Sequence, residues 1–169
     1  MGEKFLNLSG LSLYDGNVKS WAKSKIKEAI GDNKVLGVLI THQQADHIGA
    51  LRNFLTKRSI KVFKRSNVEH DMNIDLADFH FKTYHTPGHS KDSVTFFFEE
   101  ENAMFVGDFI FKESIWRTDL PGGSEQELKD SLIWLLDFDD KIVLYPGHYD
   151  KTTIGDERKN NPYLKWLFF

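Results

Sequence analysis

The chain has 169 residues with 22 basic against 25 acidic side chains, a formal net charge of −3. That length suits one domain over residues 1–169, and that balance argues against a nucleic-acid or anionic-membrane binder, which would carry a basic excess. Apolar residues make up 40% and cysteine is absent, so the chain can bury a core, while disulfide scaffolds, zinc ribbons, iron–sulfur centres and cysteine nucleophiles are excluded.

Taken in order, residues 5–14 read as extended, with a break at Ser9-Gly10. Their charges and turn residues differ from the unbroken apolar stretch of a signal peptide, and no apolar run approaches the roughly 20 residues that cross a bilayer. A soluble cytoplasmic protein is expected. Residues 17–30 place Val18, Trp21, Ala22, Ile26, Ala29 and Ile30 on one helical stripe, with Asn17 suited to the N-cap and Gly31 to the C′ position. Residues 34–40 (KVLGVLI) read as a buried strand, 48–57 as a helix and 60–64 as a strand. Residues 79–84 and 93–99 read as strands, the latter pairing with 103–107 across a Glu-Glu-Asn turn. Ser124-x-x-Glu127 is a capping-box pattern that opens a helix over 124–136. Residues 141–145 (KIVLY) form another buried strand, and 155–169 short helical pieces. Alternating strands and helices of this kind make one layered α/β or α+β domain.

The chemistry lies just past the strands. His42, Asp46 and His47 follow VLGVLI, His89 follows FKTYHTPG, Asp108 follows AMFVG, and His148 follows KIVLYPG. Loops leaving one sheet edge are a common place for a site, because a rigid scaffold aims their side chains at a shared point. Pro87-Gly88 and Pro146-Gly147 fit tight turns that direct the next imidazole inward. Imidazole and carboxylate donors suit Zn²⁺, Fe²⁺ or Mn²⁺. Two such cations among neutral imidazoles and two carboxylates would leave room for a hydroxide, since metal binding lowers the pKa of water from about 15.7 to about 7. His70, His80 and His85 take the plainer reading of hydrogen-bonded structural residues. Arg117 and Asp119 are expected to form a loop ion pair. Lys57, Arg58, Lys61, Lys64 and Arg65 read as a solvated basic face, Phe96-Phe97-Phe98 as a buried strand, and Trp166, Phe168 and Phe169 as core or an interface patch.

These motifs resemble the metallo-β-lactamase superfamily, and within it the short glyoxalase II-like hydrolases. Thr41-His42-Gln43-Gln44-Ala45-Asp46-His47 is similar to the family's T-H-x-H-x-D-H. His85-Thr86-Pro87-Gly88-His89-Ser90, Phe105-Val106-Gly107-Asp108 and Tyr145-Pro146-Gly147-His148 match the later motifs, and Asp15-Gly16 looks like the first. Residues 114–123 (SIWRTDLPGG), Thr152-Thr153-Ile154-Gly155-Asp156-Glu157-Arg158 and Asn161-Pro162 look like the glyoxalase II-type enzymes. The resemblance implies an α+β fold, a four-layer αβ/βα sandwich. It implies zinc, one or two ions with iron or manganese as alternatives, held by His42, His89 and Asp108 on one side and Asp46, His47 and His148 on the other. Asp108 would bridge the two, and Asp46 would orient the nucleophile. The implied substrate is a small acyl thioester such as S-lactoylglutathione.

The sequence departs from the family at four points. Gln44 replaces a ligand histidine, and an amide oxygen is a weaker donor to zinc. Few residues precede Asp15-Gly16, so one sheet would be shortened, leaving an exposed edge that a homodimer would cover. Trp116 and Tyr149 stand where relatives generally carry glycine and would put bulk near the metals. The chain ends soon after Asn161-Pro162, short of the C-terminal helical domain of longer glyoxalase II enzymes. Three functions follow from these departures: a thioester or ester hydrolase, a mononuclear iron oxygenase resembling persulfide dioxygenases, and a degenerate member that binds a ligand without catalysis.

Overall fold

The computed structural model describes residues 28, 30–32, 35–44, 48, 60–165 and 167. Its centre is a six-stranded mixed sheet in the order β10-β9-β6-β5-β4-β3. The strands are β3 (Met72–Leu76), β4 (Phe79–His85), β5 (Val94–Phe98), β6 (Ala103–Gly107), β9 (Val143–Pro146) and β10 (Thr152–Thr153). Two strands, β1 (Gly37–Leu39) and β2 (Lys61–Phe63), pair in parallel as a separate small sheet, and β7 (Ile110–Phe111) with β8 (Ser114–Ile115) form a hairpin. The helices are α1 (Glu125–Leu135), α2 (Ile154–Asn160) and α3 (Pro162–Lys165).

Both faces of the large sheet are covered, and the alternation of side chains sorts its residues between two cores. Phe97, Met104 and Val106 join Leu128, Leu132 and Leu135 of α1 on one face. Val94, Phe96, Phe98 and Ala103 join Phe81 and Ile74 on the other, with Leu39 of β1 and Phe63 of β2 packed against them. Two-sided burial explains the apolar run of β5, which is buried at every position. An α+β sandwich is thus what the structure shows for the described residues.

Topology gathers the strand ends. β4 runs antiparallel to β5 and β5 antiparallel to β6, while β6 and β9 are parallel. The C-terminal ends of β4, β6 and β9 therefore lie along one edge. The loop after β1 reaches the same edge, because the Val94 N–H at the start of β5 donates to the Thr41 carbonyl at 2.7 Å. His42, His89, Asp108 and His148 each follow one of these ends.

The expected elements are mostly present, with shifted bounds. The 34–40 segment contributes only Gly37–Leu39 to a strand, and the 60–64 segment Lys61–Phe63. Strand β3 was not anticipated. It is an edge strand in which only Ile74 is buried, although Met72, Ile74 and Leu76 alternate with Asn73 and Asp75, and it pairs with β4 through a turn at Ala77 with φ of 55°. Helix α1 begins as its capping box requires, with Ser124 Oγ accepting from the Glu127 N–H at 3.3 Å. Gly31 has the left-handed φ of 54° suited to a helix end. The extended 5–14 segment, Asp15-Gly16, most of the 17–30 and 48–57 helices, Lys57, Arg58, Trp166, Phe168 and Phe169 lie outside the described residues. Among the described residues, no helix is long and apolar enough to cross a membrane.

Candidate metal centre

Each site residue is held by backbone that the local sequence shapes. Gly107 has φ of +61°, and a Cβ there would come within 2.8 Å of the Thr41 side chain. Only glycine lets β6 turn this closely past the His42 loop and deliver Asp108. Gly88, at φ of +139°, packs its Cα against α1, where a Cβ would lie 2.3 Å from the Leu128 Cα. The same helix fixes the turn through two hydrogen bonds: Ser131 Oγ donates to the Pro87 carbonyl at 2.7 Å, and the Ser124 N–H to the Gly88 carbonyl at 2.8 Å. Helix α1 thus positions His89.

The side chains converge. Ligand atoms of His42, His89 and Asp108 lie within 4.8 Å of one another, and these residues are 1%, 0% and 2% exposed. Asp108 Oδ2 is 3.8 Å from His42 Nε2 and 3.4 Å from His148 Nε2, so one carboxylate faces both imidazoles. Asp46 and His47 lie outside the described residues. Gln44 is half-buried, and its carbonyl accepts from the Ile48 N–H at 3.1 Å.

The donor set fits a divalent cation. His89 Nδ1 lies 3.2 Å from the Arg117 carbonyl, and a carbonyl partner makes Nδ1 the protonated nitrogen. Nε2 is then left with its lone pair, buried and, among the described residues, without a hydrogen bond. A backbone carbonyl behind the far nitrogen is the usual way a ligating histidine is oriented. A carboxylate as buried as Asp108, facing two imidazoles, is the kind of donor that a divalent cation would balance.

A tether that the sequence reading missed links the first two loops. Asp92 Oδ2 accepts from the Gln43 N–H at 2.9 Å and from Gln43 Nε2 at 3.2 Å, while Oδ1 accepts from Ser90 Oγ at 2.9 Å. Burial alone pushes the Asp92 carboxyl upward, but the Ser90 and Gln43 hydrogen bonds and the nearby His42 outweigh it and hold the carboxyl below its ordinary value. No local pattern marks a contact that spans 49 positions.

Two bulky residues flank the site. Trp116 stacks on the His148 ring at 5.4 Å and 9°, and stands edge-on to His89 at 5.7 Å. Tyr149 instead points outward, 79% exposed and at φ of 64°, with its ring against Phe111 at 5.5 Å.

The remaining histidines have structural partners. His85 Nε2 bonds the Val68 carbonyl at 3.0 Å, and burial lowers its pKa. His70 Nδ1 accepts from the His85 N–H at 3.1 Å. His80 pairs with Asp75 at 2.7 Å on the surface, which raises its pKa. Arg117 and Asp119 form the expected exposed pair, which draws the Asp119 carboxyl down to about 2.

Comparison with known proteins agrees with this geometry. A family model described as the metallo-beta-lactamase superfamily matches residues 66–148. The probable metallo-hydrolase YqgX of Bacillus subtilis is 30% identical over 76% of this chain and 75% of its own length. The hydroxyacylglutathione hydrolase GloC of Haemophilus influenzae is 29% identical over 83% of this chain and 80% of its own. Among solved structures, TTHA1623 in a di-iron-bound form superposes with a TM-score of 0.76 at 27% identity, covering 84% of this chain and 85% of that one. Sequence, fold and relatives agree, and the chain belongs to the metallo-beta-lactamase superfamily, among its hydrolase-like members.

Proposed function

We propose that this chain is a metal-dependent hydrolase of small acyl thioesters or esters, of the glyoxalase II kind, working in the cytoplasm. The observation that carries the reading is the convergence of His42, His89 and His148 on the Asp108 carboxylate. In this reading His42, His89 and Asp108 would hold one cation, and Asp46, His47 and His148, with Asp108, would hold a second. Zinc is the metal proposed first, and iron or manganese suits the same donors. A bound cation would supply Lewis acidity and a water acidified toward neutral pH.

The protein's own groups do the rest. The Arg117 carbonyl fixes the His89 tautomer, so its Nε2 lone pair is available. The Asp92 tether keeps the His42 and His89 loops in register. Asp46, which lies outside the described residues, is assigned by the motif resemblance alone and would orient the attacking water. Kinship with a hydroxyacylglutathione hydrolase supports a thioester as the bond cleaved.

The test is thiol release from S-lactoylglutathione and simple aryl thioesters by metal-supplemented protein, with Asp108→Ala as control. Release that falls at least about a hundredfold in the variant is expected, because removing Asp108 removes a donor shared by both positions. Metal-loaded protein that leaves these substrates intact refutes the hydrolase reading. A second reading has one specific support: His42, His89 and Asp108 form the two-histidine, one-carboxylate set suited to non-haem iron. Oxygen uptake with glutathione persulfide, with iron in the protein, would select that alternative.

A further inference from the structure

Trp116 directly follows β8 and is half-buried. It belongs to neither apolar cluster of the core. Its ring contacts are instead with His148, His89 and Phe111, the last at 5.2 Å. The indole Nε1 is shielded from solvent and, among the described residues, has no hydrogen-bond partner. A buried N–H left unpaired is costly, and such a group calls for an explanation, among them a water or ligand that completes it. Indole donates and does not accept, so the missing partner carries a lone pair. Two imidazoles and a phenyl ring pack against the indole, which favours a small partner.

We propose that the Trp116 indole N–H is the hydrogen-bond donor for a small oxygen acceptor held beside His89 and His148, which makes Trp116 a specificity-determining residue of this site. The inference deepens the hydrolase reading and rests on the same pocket. The acceptor is a water or a carboxylate-type oxygen. In either case the donor selects for ligands that place oxygen at that point, and the ring excludes bulk that a glycine would admit.

The experiment is proton–nitrogen NMR of ¹⁵N-tryptophan-labelled protein. The chain has 4 tryptophans, and Trp116→Phe assigns the Trp116 indole signal while the remaining signals report whether the variant is folded. Zn²⁺, formate and both together are titrated. The expected result is a saturable downfield shift of the Trp116 resonance. The zinc-loaded protein is the reference, because Zn²⁺ on the imidazoles packed against the indole moves its resonance by itself. A further downfield shift with formate identifies a carboxylate oxygen, and slowed exchange of the indole proton without formate identifies a solvent oxygen. Trp116→Phe should bind the additive that produces the shift about tenfold more weakly, as loss of one hydrogen bond implies. A resonance that shows neither change, or one that shifts with no loss of affinity in Trp116→Phe, overturns the proposal. Thioester turnover with an unmoved resonance sinks this inference alone. A moving resonance without turnover sinks the hydrolase reading alone.

Discussion

Gln44 lies two positions after His42, where the motif it resembles has a histidine, and it is half-buried. An amide oxygen is neutral and a poorer donor than imidazole for zinc or iron, so the position beside His42 should bind its cation weakly. Gln44→His is expected to raise the metal content measured by elemental analysis toward two ions per chain, and to raise thioester hydrolysis with it. An unchanged content would show that Gln44 is not what limits binding. Asp92 acts one layer out. Asp92→Ala removes the acceptor of the Gln43 N–H and of Ser90 Oγ, and should weaken metal binding about 10–100-fold, the usual cost of losing a group that orients ligands. Competition against a chromophoric chelator measures it. At this scale the sequence was informative for His42, His89, Asp108 and His148, because each follows an apolar run and a turn that can be seen locally. It was silent on Asp92, whose partner Gln43 is 49 positions away, and on Trp116 Nε1, whose missing partner shows only once the fold surrounds it.

Among the elements, those whose residues carry an unambiguous period or cap were read most closely. The buried run of β5, the bounds of β6 and the capped start of α1 depend on local apolar pattern and a side-chain hydrogen bond. Strands β7, β8 and β10 are two residues long, too short to carry a period, while β3 does alternate through Met72, Ile74 and Leu76 but is a short, mostly exposed edge that the reading passed over. The C-terminal pieces hide a further device. Glu157, 1% exposed, accepts from Thr152 Oγ1 at 2.6 Å, the Glu113 N–H at 2.8 Å and Asn161 Nδ2 at 2.7 Å. Asn161 Nδ2 also donates to the Ser114 carbonyl at 3.0 Å. Helix α2 is thereby fastened to the β7–β8 hairpin, from which the chain runs on into Trp116 and the Arg117 carbonyl behind His89. The motif that looked like a subgroup signature is, in structural terms, a clamp. Glu157→Gln turns one acceptor into a donor facing donors, and should lower stability by about 1–3 kcal/mol. Urea unfolding with a lower midpoint and an unchanged slope would register the loss, and an unchanged midpoint would contradict the clamp.

For the molecule as a whole, the site is a knot tied across the sequence. His42, His89, Asp108 and His148 come from four separate strand ends, gathered by one antiparallel-to-parallel sheet edge. A cation bound there would cross-link the small β1–β2 sheet to the large one, through His42 on one side and Asp108 on the other. Such a ligand binds the native state, whereas the unfolded chain scatters the same donors, so occupancy adds directly to stability. At a free metal concentration about a hundred times the dissociation constant the gain is about 2.7 kcal/mol. For a chain of this size that corresponds to a rise in Tm of about 5–10 °C. Thermal unfolding with added Zn²⁺ and with a chelator in excess should therefore differ by that amount. The difference should shrink in His148→Ala and nearly vanish in Asp108→Ala, because Asp108 faces both His42 and His148. Unfolding that is the same with and without Zn²⁺ would mean that the gathered side chains do not hold a cation, and the hydrolase reading would fall with them.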